Sequence, residues 1–235
     1  MIPTPSTSHL TKKDFRKVYE PAEDSFILLD ALEADASLLS SSLLRSSTSS
    51  SPLCVEIGSG SGIVLSFLSA ILGSTSATYI GTDLNPHANK CTISTGKANG
   101  VAIGAVNTSL MSGLRPRIDG KVNVLLFNPP YVPTEEDEEQ MAQGNPGIEG
   151  SWAGGSTGTN LVDTLIDEGV IKQVLAPEGR LYLVAIKQND PARLVKRLQA
   201  QELDAETSHM HLWHNGLGGA GAACRERTLA RHPSD

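Results

Sequence analysis

The chain is poor in aromatic residues, cysteine and clustered basic residues. Phe, Trp and Tyr make up 4% of its 235 residues, the cysteines number 3, and the formal net charge is −7. Few aromatics and net negative charge disfavour nucleic-acid binding, which uses basic surfaces and stacking rings. The sequence contains no CxxC or CxxH spacing, so it predicts no metal site. Its apolar runs are too short to span a bilayer, and it shows no N-terminal secretion signal.

Cys54, Cys91 and Cys224 are widely spaced and odd in number. This usage is typical of reduced thiols and predicts a cytoplasmic or nuclear protein. A hydrophobic content of 39% over 235 residues is enough for one sizeable core. We therefore predict a single domain over residues 19–235, preceded by a flexible polar tail at residues 1–18. Residues 37–51 are mostly serine, and we predict a surface loop there.

From Leu53 onward, apolar stretches of strand length alternate with helical patterns. We predict strands at residues 53–57, 77–82, 101–106, 122–127, 180–187, 207–213 and 225–230. We predict helices at residues 62–72, 86–98, 160–175 and 191–201, after a first helix that begins near Glu20. Repeated strand–helix–strand units predict a doubly wound α/β fold with a mostly parallel, seven-stranded, Rossmann-like sheet. The last two strands are predicted to form an antiparallel hairpin at its edge.

A glycine-rich turn follows the first predicted strand. Its sequence is Glu56-Ile57-Gly58-Ser59-Gly60-Ser61-Gly62, and the next strand ends at Asp83. Glycines let a ligand approach the backbone closely, and a carboxylate at the following strand end can accept two ribose hydroxyl hydrogen bonds. The glycine turn alone is also consistent with a purely structural turn. Its combination with Asp83 predicts binding of an adenosine-containing cofactor.

Asn128-Pro129-Pro130-Tyr131 follows the apolar strand at residues 122–127. Open α/β sheets bind their ligands at the carboxyl ends of the strands. The Asn128 side-chain oxygen and the Pro129 carbonyl can each accept one N–H of a planar NH2 group, on which Tyr131 can stack. A rigid proline turn without a chemical role is the alternative interpretation. The pattern favours a site that holds an amide or aromatic amine nitrogen as the nucleophile.

Together these motifs resemble class I S-adenosylmethionine-dependent methyltransferases. Three stretches narrow the resemblance to the eukaryotic HemK-like glutamine methyltransferases, namely Tyr19–Ser25, Phe127–Val132 and Ile148–Gly155. The resemblance implies S-adenosyl-L-methionine as cofactor and N5-methylation of the glutamine in the Gly-Gly-Gln motif of a class 1 translation termination factor. It also implies a heterodimer with a small zinc-binding activator subunit, which covers an apolar surface beside the third strand.

The resemblance assigns roles to individual positions. It implies cofactor contacts for Ser25, Glu56, Gly58, Gly60, Asp83, Ser109, Leu110 and Asn128. It implies catalytic roles for Asn128, Pro129 and Tyr131, and substrate contacts for Asn128, Pro130, Tyr131 and Trp152. Ser109 stands where relatives carry an aspartate that bonds the adenine amine, and Asn107 is an alternative residue for that contact.

Three other functions share parts of this pattern. Adenine-N6 methyltransferases of nucleic acids use the same turn, but the charge and the aromatic content disfavour them. A lysine methyltransferase acting on histone H4 needs to deprotonate an amine rather than clamp an amide. A non-catalytic adaptor that binds the activator is the third, and Ser109 and the divergent sequence after Gln201 are consistent with it. We predict that the acidic residues 135–139 form a solvated loop.

Overall fold

The computed structural model describes residues 1–44, 51–129, 160–212 and 224–232. Its helices are α1 (Glu23–Ala34), α2 (Ala36–Leu44), α3 (Ile63–Leu72), α4 (Pro86–Ala98), α5 (Asn160–Asp167), α6 (Val170–Val174) and α7 (Pro191–Gln199). Its strands are β1 (Leu53–Ile57), β2 (Thr78–Asp83), β3 (Ile103–Asn107), β4 (Val122–Phe127), β5 (Leu175–Ile186), β6 (Asp204–Leu212) and β7 (Cys224–Arg231). Among these helices, none has the length and apolar character needed to span a membrane.

The strands form one sheet in the order β3-β2-β1-β4-β5-β7-β6. Strands β1 to β5 pair in parallel, whereas β7 pairs antiparallel with β5 and β6. The chain runs outward from β1 to β3 and then returns to β4, so the strand order reverses between β1 and β4. Such a switch point opens a crevice at the carboxyl ends of the strands. The predicted fold class, a doubly wound and mostly parallel sheet with an antiparallel C-terminal edge, is confirmed.

Two hydrophobic cores cover the two faces of the sheet. Val55 and Leu125 belong to the core shared with α5, α6 and α7, whereas Cys54 and Val124 belong to the core shared with α1, α2 and α3. The central strands are therefore mainly apolar, as expected for a sheet buried on both faces. In β1, Glu56 interrupts this pattern with a carboxyl group that is only 3% exposed.

Residues 1–18 pack against α4, although a flexible tail is predicted there. The Ser6 N–H donates to Asn99 Oδ1 over 2.8 Å, and Asn85 Nδ2 donates to the Lys17 carbonyl over 2.6 Å. Val18 is buried beside the start of α4. The segment forms no helix or strand, as its polar sequence suggests. Its docking was not predicted because the partners lie 68 to 93 residues away along the chain.

Three larger differences separate the predicted elements from the structure. Residues 36–44 form α2 instead of a serine-rich loop, because Leu39 and Leu43 lie one turn apart and pack into the α1–α3 core. The helix predicted over residues 160–175 is divided at Gly169, whose φ is 66°. Strand β5 then begins at Leu175, earlier than predicted. Residues 45–50 of the predicted loop lie outside the described residues.

Candidate active site

The carboxyl ends of β3, β2, β1 and β4 lie side by side at one edge of the sheet. Asp83 at the end of β2 is opposite Asn107 on β3, and Ile57 at the end of β1 is opposite Phe127 on β4. Asn128 directly follows Phe127, so it starts the loop next to the glycine-rich turn. The register therefore brings both sequence motifs to the switch point.

The glycine-rich turn is fastened to the end of β2. The N–H groups of Gly58 and Ser59 donate to the Thr82 carbonyl over 2.8 and 3.0 Å, and the Gly60 N–H donates to Asp83 Oδ2 over 3.1 Å. Gly58 has a φ of 68°, and no atom lies within 4 Å of where a Cβ would stand. The turn thus presents bare backbone to open space, which a closely approaching ligand requires.

The end of this turn is packed tightly against α4. Gly62 has a φ of 80°, and a Cβ there would lie 2.6 Å from Thr92 Cα. The Ser59 and Thr92 hydroxyls are 2.9 Å apart, and Thr92 Oγ1 donates to the Gly60 carbonyl over 3.2 Å. Ser59 and Thr92 position the turn, and their pairing could not be predicted because they are 33 residues apart in the chain.

Backbone donors fix the Asp83 carboxylate. Asn85 N–H donates to Oδ1 over 2.8 Å, and Gly60 N–H donates to Oδ2. Burial nevertheless raises the pKa of Asp83 above its usual value, against the lowering effect of these two hydrogen bonds. Asn107 Nδ2 donates to the carbonyls of Asp83 and Leu84 and so holds the strand end in place. The carboxylate keeps lone pairs free to accept hydroxyl hydrogen bonds.

Glu56 is buried below the start of α3, and its Oε2 has no hydrogen-bond partner among the described residues. Burial raises its pKa well above the usual value, a hydrogen bond from the Leu65 backbone N–H lowers it, and the charge of Asp83 raises it further. An unpaired buried carboxyl oxygen is costly unless a donor reaches it. The position therefore fits a ligand that brings an N–H or O–H donor.

Asn128 shows the same feature on the other side of the switch point. Its Oδ1 is buried and has no partner in the described part of the chain. Pro129 beside it is buried as well. This oxygen, which is predicted to accept an N–H of the substrate, therefore has no competing donor among the described residues. Pro130, Tyr131 and Trp152 lie outside the described residues, so their roles stay predictions.

The remaining predicted cofactor residues occupy two segments. Ser25 is buried in the first turn of α1, where its N–H donates to Asp24 Oδ1 over 2.8 Å. Ser109 is exposed after β3, and Leu110 next to it has a φ of 48° while packing on the α5–α7 core. A left-handed leucine costs about 1–2 kcal/mol, so packing holds this loop in a strained shape. The cofactor roles of Ser25, Ser109 and Leu110 stay predictions.

Sequence comparison extends these observations. Methyltransferase HEMK2 of Mus musculus is 42% identical over 207 residues, which cover 88% of this chain and 89% of that protein. The eRF1 methyltransferase catalytic subunit mtq2 of Schizosaccharomyces pombe is 38% identical over 208 residues, with 85% of each protein covered. The chain belongs to the HEMK2/Mtq2 family of eukaryotic release-factor glutamine N5-methyltransferases. No general protein-family model matches it.

Solved structures agree with the fold of this family. Mtq2 in the E. cuniculi Mtq2–Trm112 complex aligns with a TM-score of 0.62 at 21% identity, covering 92% of this chain and 98% of that one. The N-terminal domain of human METTL16 in complex with SAH aligns with a TM-score of 0.57 at 16% identity. The alignment covers 95% of this chain and 78% of that one. Both share the Rossmann-like methyltransferase sheet.

As a member of this family, the chain uses S-adenosylmethionine as its cofactor. The residues at the switch point fit this molecule. Its ribose hydroxyls and its ammonium group are hydrogen-bond donors, and the Asp83 carboxylate and Glu56 Oε2 are acceptors. The open space at Gly58 gives the cofactor access to the turn.

Asn85 supports the site but is absent from the residues predicted from the sequence. Its N–H holds Asp83, its Oδ1 caps α4 by accepting the His87 N–H over 2.9 Å, and its Nδ2 holds Lys17. An Asn before a Pro at the first helical position is a recognisable N-cap signature, which could have indicated this residue.

Proposed function

We propose that the chain methylates the side-chain nitrogen of the glutamine in the Gly-Gly-Gln motif of a class 1 translation termination factor. We further propose that it acts as the catalytic subunit of a heterodimer with a small zinc-binding activator. Family membership supports this, since one relative is named as the catalytic subunit of an eRF1 methyltransferase and one solved relative was determined with Trm112. The free, buried thiols of Cys54 and Cys91 support the cytoplasm or the nucleus as its compartment.

The unpaired, buried Oδ1 of Asn128 is the observation that carries this proposal. A glutamine amide is planar, and its nitrogen lone pair is delocalised. If Asn128 Oδ1 accepts one N–H and the Pro129 carbonyl accepts the other, the amide plane is fixed. The axis of the nitrogen lone pair, which is perpendicular to that plane, is then fixed as well. Positioning of this kind contributes up to about 7–11 kcal/mol to lowering a barrier.

The cofactor, when bound, supplies a methyl group on a positively charged sulfur. Asn128 and Pro129 direct the amide nitrogen, and their fixed dipoles stabilise positive charge that develops on it. No strong general base is required, because the amide N–H becomes acidic only as methylation proceeds and water then takes the proton. We propose that Tyr131 packs on the amide plane and that Pro130 and Trp152 contact the substrate.

The edge of the sheet at β3 is the surface we propose for the activator. β3 ends the sheet, so its outer backbone edge has no neighbouring strand within the described residues. Val101 and Ile103 are buried, but Ile93 on α4 is 48% exposed. Gly96 packs directly on Ile103, and Ile93 lies three residues earlier on the same side of the helix. Ile93 therefore places an exposed apolar side chain beside the free strand edge, where the activator can contact both.

The Asn128→Ala variant tests the proposal. Methyl transfer to purified release factor, measured with labelled cofactor in the presence of the activator, is expected to fall at least about 100-fold because the amide loses one of its two acceptors. Cofactor affinity, measured by calorimetry, is expected to stay within a few-fold of wild type. Glu206→Ala, at an exposed position on β6 at the opposite end of the sheet from β3, is the control and is expected to keep full activity.

Two outcomes would contradict the proposal. Unchanged turnover of Asn128→Ala on the release factor rejects the assigned site. Labelled methyl groups in an oligonucleotide or in histone H4, with none in the release factor, reject the assigned substrate. Mass mapping of the modified glutamine identifies the acceptor atom.

A further inference from the structure

Residues 1–18 and α4 bring together three side chains that can bind a metal ion. Asp14, His87 and Cys91 each offer one ligand atom, and these atoms all lie within 4.8 Å of one another. Asp14 Oδ1 is 3.0 Å from His87 Nε2. His87 and Cys91 are four residues apart on α4, so they share one face of the helix.

The surroundings of the three side chains restrict their movement. The Thr11 N–H and the Thr11 hydroxyl both donate to Asp14 Oδ2, over 2.8 and 2.7 Å, which leaves Oδ1 directed at His87. Cys91 is 3% exposed, whereas the side chains of His87 and Asp14 are 29% and 26% exposed. Oriented ligands with one open side are typical of a site that holds three protein ligands and one water.

We propose that Asp14 Oδ1, His87 Nε2 and Cys91 Sγ form a Zn²⁺ site, with water as the fourth ligand. One thiolate, one imidazole and one carboxylate are the ligand types that zinc takes in tetrahedral sites. Ca²⁺ and Mg²⁺ prefer oxygen ligands, of which this cluster offers one. On binding, the Cys91 thiol proton and any proton on His87 Nε2 pass to solvent, so zinc affinity falls as the pH falls.

The proposed ion joins the N-terminal segment to α4 next to the cofactor site. Three residues beyond Asp14, the Lys17 carbonyl accepts from Asn85, and Asn85 also holds Asp83. Val18 Cγ1 lies 4.0 Å from where a Cβ on Gly60 would stand. Zinc bound at Asp14 therefore stabilises the segment that borders the glycine-rich turn.

Zinc titration of the full, metal-depleted chain tests the proposal, with a colorimetric chelator as competitor. We expect one equivalent to bind and to raise the melting temperature, because a ligand specific for the native state stabilises it. Removal of a ligand in His87→Ala, Cys91→Ala or Asp14→Asn is expected to weaken binding at least about 10-fold. His9→Ala is the control, since His9 contacts α4 through Ser94 and Thr95 outside the cluster.

Cobalt provides a second readout that identifies the sulfur ligand. Co²⁺ bound to wild type is expected to show a thiolate-to-cobalt charge-transfer band that is absent in Cys91→Ala and retained in His9→Ala. Circular dichroism confirms that each variant is folded, and Asp14→Asn changes only a partly exposed side chain of nearly the same shape. Equal zinc affinity in wild type and in the folded ligand variants, or no binding by wild type, overturns the proposal.

Discussion

At the scale of single residues, burial of the Glu56 carboxyl costs stability in the cofactor-free protein, and we propose that the carboxyl gains a partner when the cofactor binds. Its carboxyl is buried with one unpaired oxygen, and its pKa is raised chiefly by burial. The folded protein thus holds this proton to higher pH than the unfolded chain does. Stability from Glu56 is complete below the ordinary pKa of 4.5 and is lost as the pH rises toward the raised value. At neutral pH the cofactor-free protein therefore carries the cost of this group.

Replacing Glu56 by glutamine is expected to stabilise the cofactor-free protein at neutral pH and to weaken cofactor binding. Gln has nearly the same shape and carries no charge, so the cost of burying the carboxylate disappears. The loss of a charged acceptor lowers cofactor affinity, since such hydrogen bonds contribute about 1.5–3 kcal/mol. Thermal melts at several pH values measure the stability, and calorimetry measures the affinity.

The pH dependence makes this prediction specific. The stability difference between Glu56→Gln and wild type should shrink as the pH is lowered to 4.5, where both side chains become neutral. Asp83 also has a raised pKa, and its charge adds to the cost of an ionised Glu56, so the difference is largest where both carboxyls are charged. Glu206→Gln, at an exposed position, should change neither quantity. A lower melting temperature for Glu56→Gln at neutral pH would contradict the assignment.

Site residues were predictable from the sequence where a polar side chain directly follows a recognisable strand. Asp83 and Asn128 directly follow recognisable strands, so their place at the sheet edge could be inferred from the sequence. The Ser59–Thr92 pair and the cluster of Asp14 with His87 and Cys91 could not, because residues distant in sequence meet only when α4 packs in place. The sequence therefore indicated the site and missed much of what supports it.

At the scale of elements, the contact between the glycine-rich turn and α4 depends on the missing side chain of Gly62. A Cβ on Gly62 would lie 2.6 Å from Thr92 Cα, whereas a Cβ on Gly100 would meet no atom within 4 Å. Both glycines have positive φ, 80° and 73°. Both positions therefore need a residue that tolerates positive φ, but only at Gly62 would an added Cβ clash with a neighbouring residue.

We expect Gly62→Ala to destabilise the protein much more than Gly100→Ala. Gly100→Ala should cost about 1–2 kcal/mol for the left-handed backbone alone. Gly62→Ala adds an overpacking cost of about 1–3 kcal/mol, because α3 and α4 must separate. Urea unfolding measures both values. Equal losses of unfolding free energy in the two variants would mean that α4 can shift without destabilising the protein. The contact between Gly62 and α4 would then not hold the turn in place.

Strong local signals predicted elements well, and weak ones did not. The predicted bounds of α4 and β4 match the structure, because Asn85-Pro86 signals the start of the helix and β4 is apolar except at Asn123. α2 was missed because serines mask a stripe of leucines that gains stability only by packing on α3. The break at Gly169 was missed because the apolar period continues past it.

At the scale of the whole molecule, the order of the strands explains both the site and the proposed partner surface. The reversal between β1 and β4 brings the two motifs together at the centre of the sheet. The same order leaves β3 at an edge, with Ile93 exposed beside it. An exposed apolar side chain next to a free strand edge is costly for a monomer and useful for a stable subunit contact.

Ile93→Glu is therefore expected to weaken the heterodimer with the activator. Full burial of such a side chain contributes about 1.5–3 kcal/mol, so its loss together with burial of a charge should lower the affinity at least about 10-fold. Co-purification and calorimetry with the activator measure the effect. Since Ile93 is exposed and its replacement disturbs no core contact, the melting temperature of the isolated chain should change little.

Phe26→Glu is the matched control, because Phe26 is a 42% exposed hydrophobic residue on α1. α1 contacts α3 and β5, and β2, β1 and β4 lie between β5 and the β3 edge. Phe26→Glu should therefore bind the activator like wild type and show the same methyl transfer to the release factor. If Ile93→Glu binds the activator as tightly as Phe26→Glu does, the partner does not use the β3 edge. The free strand backbone there would then need another explanation.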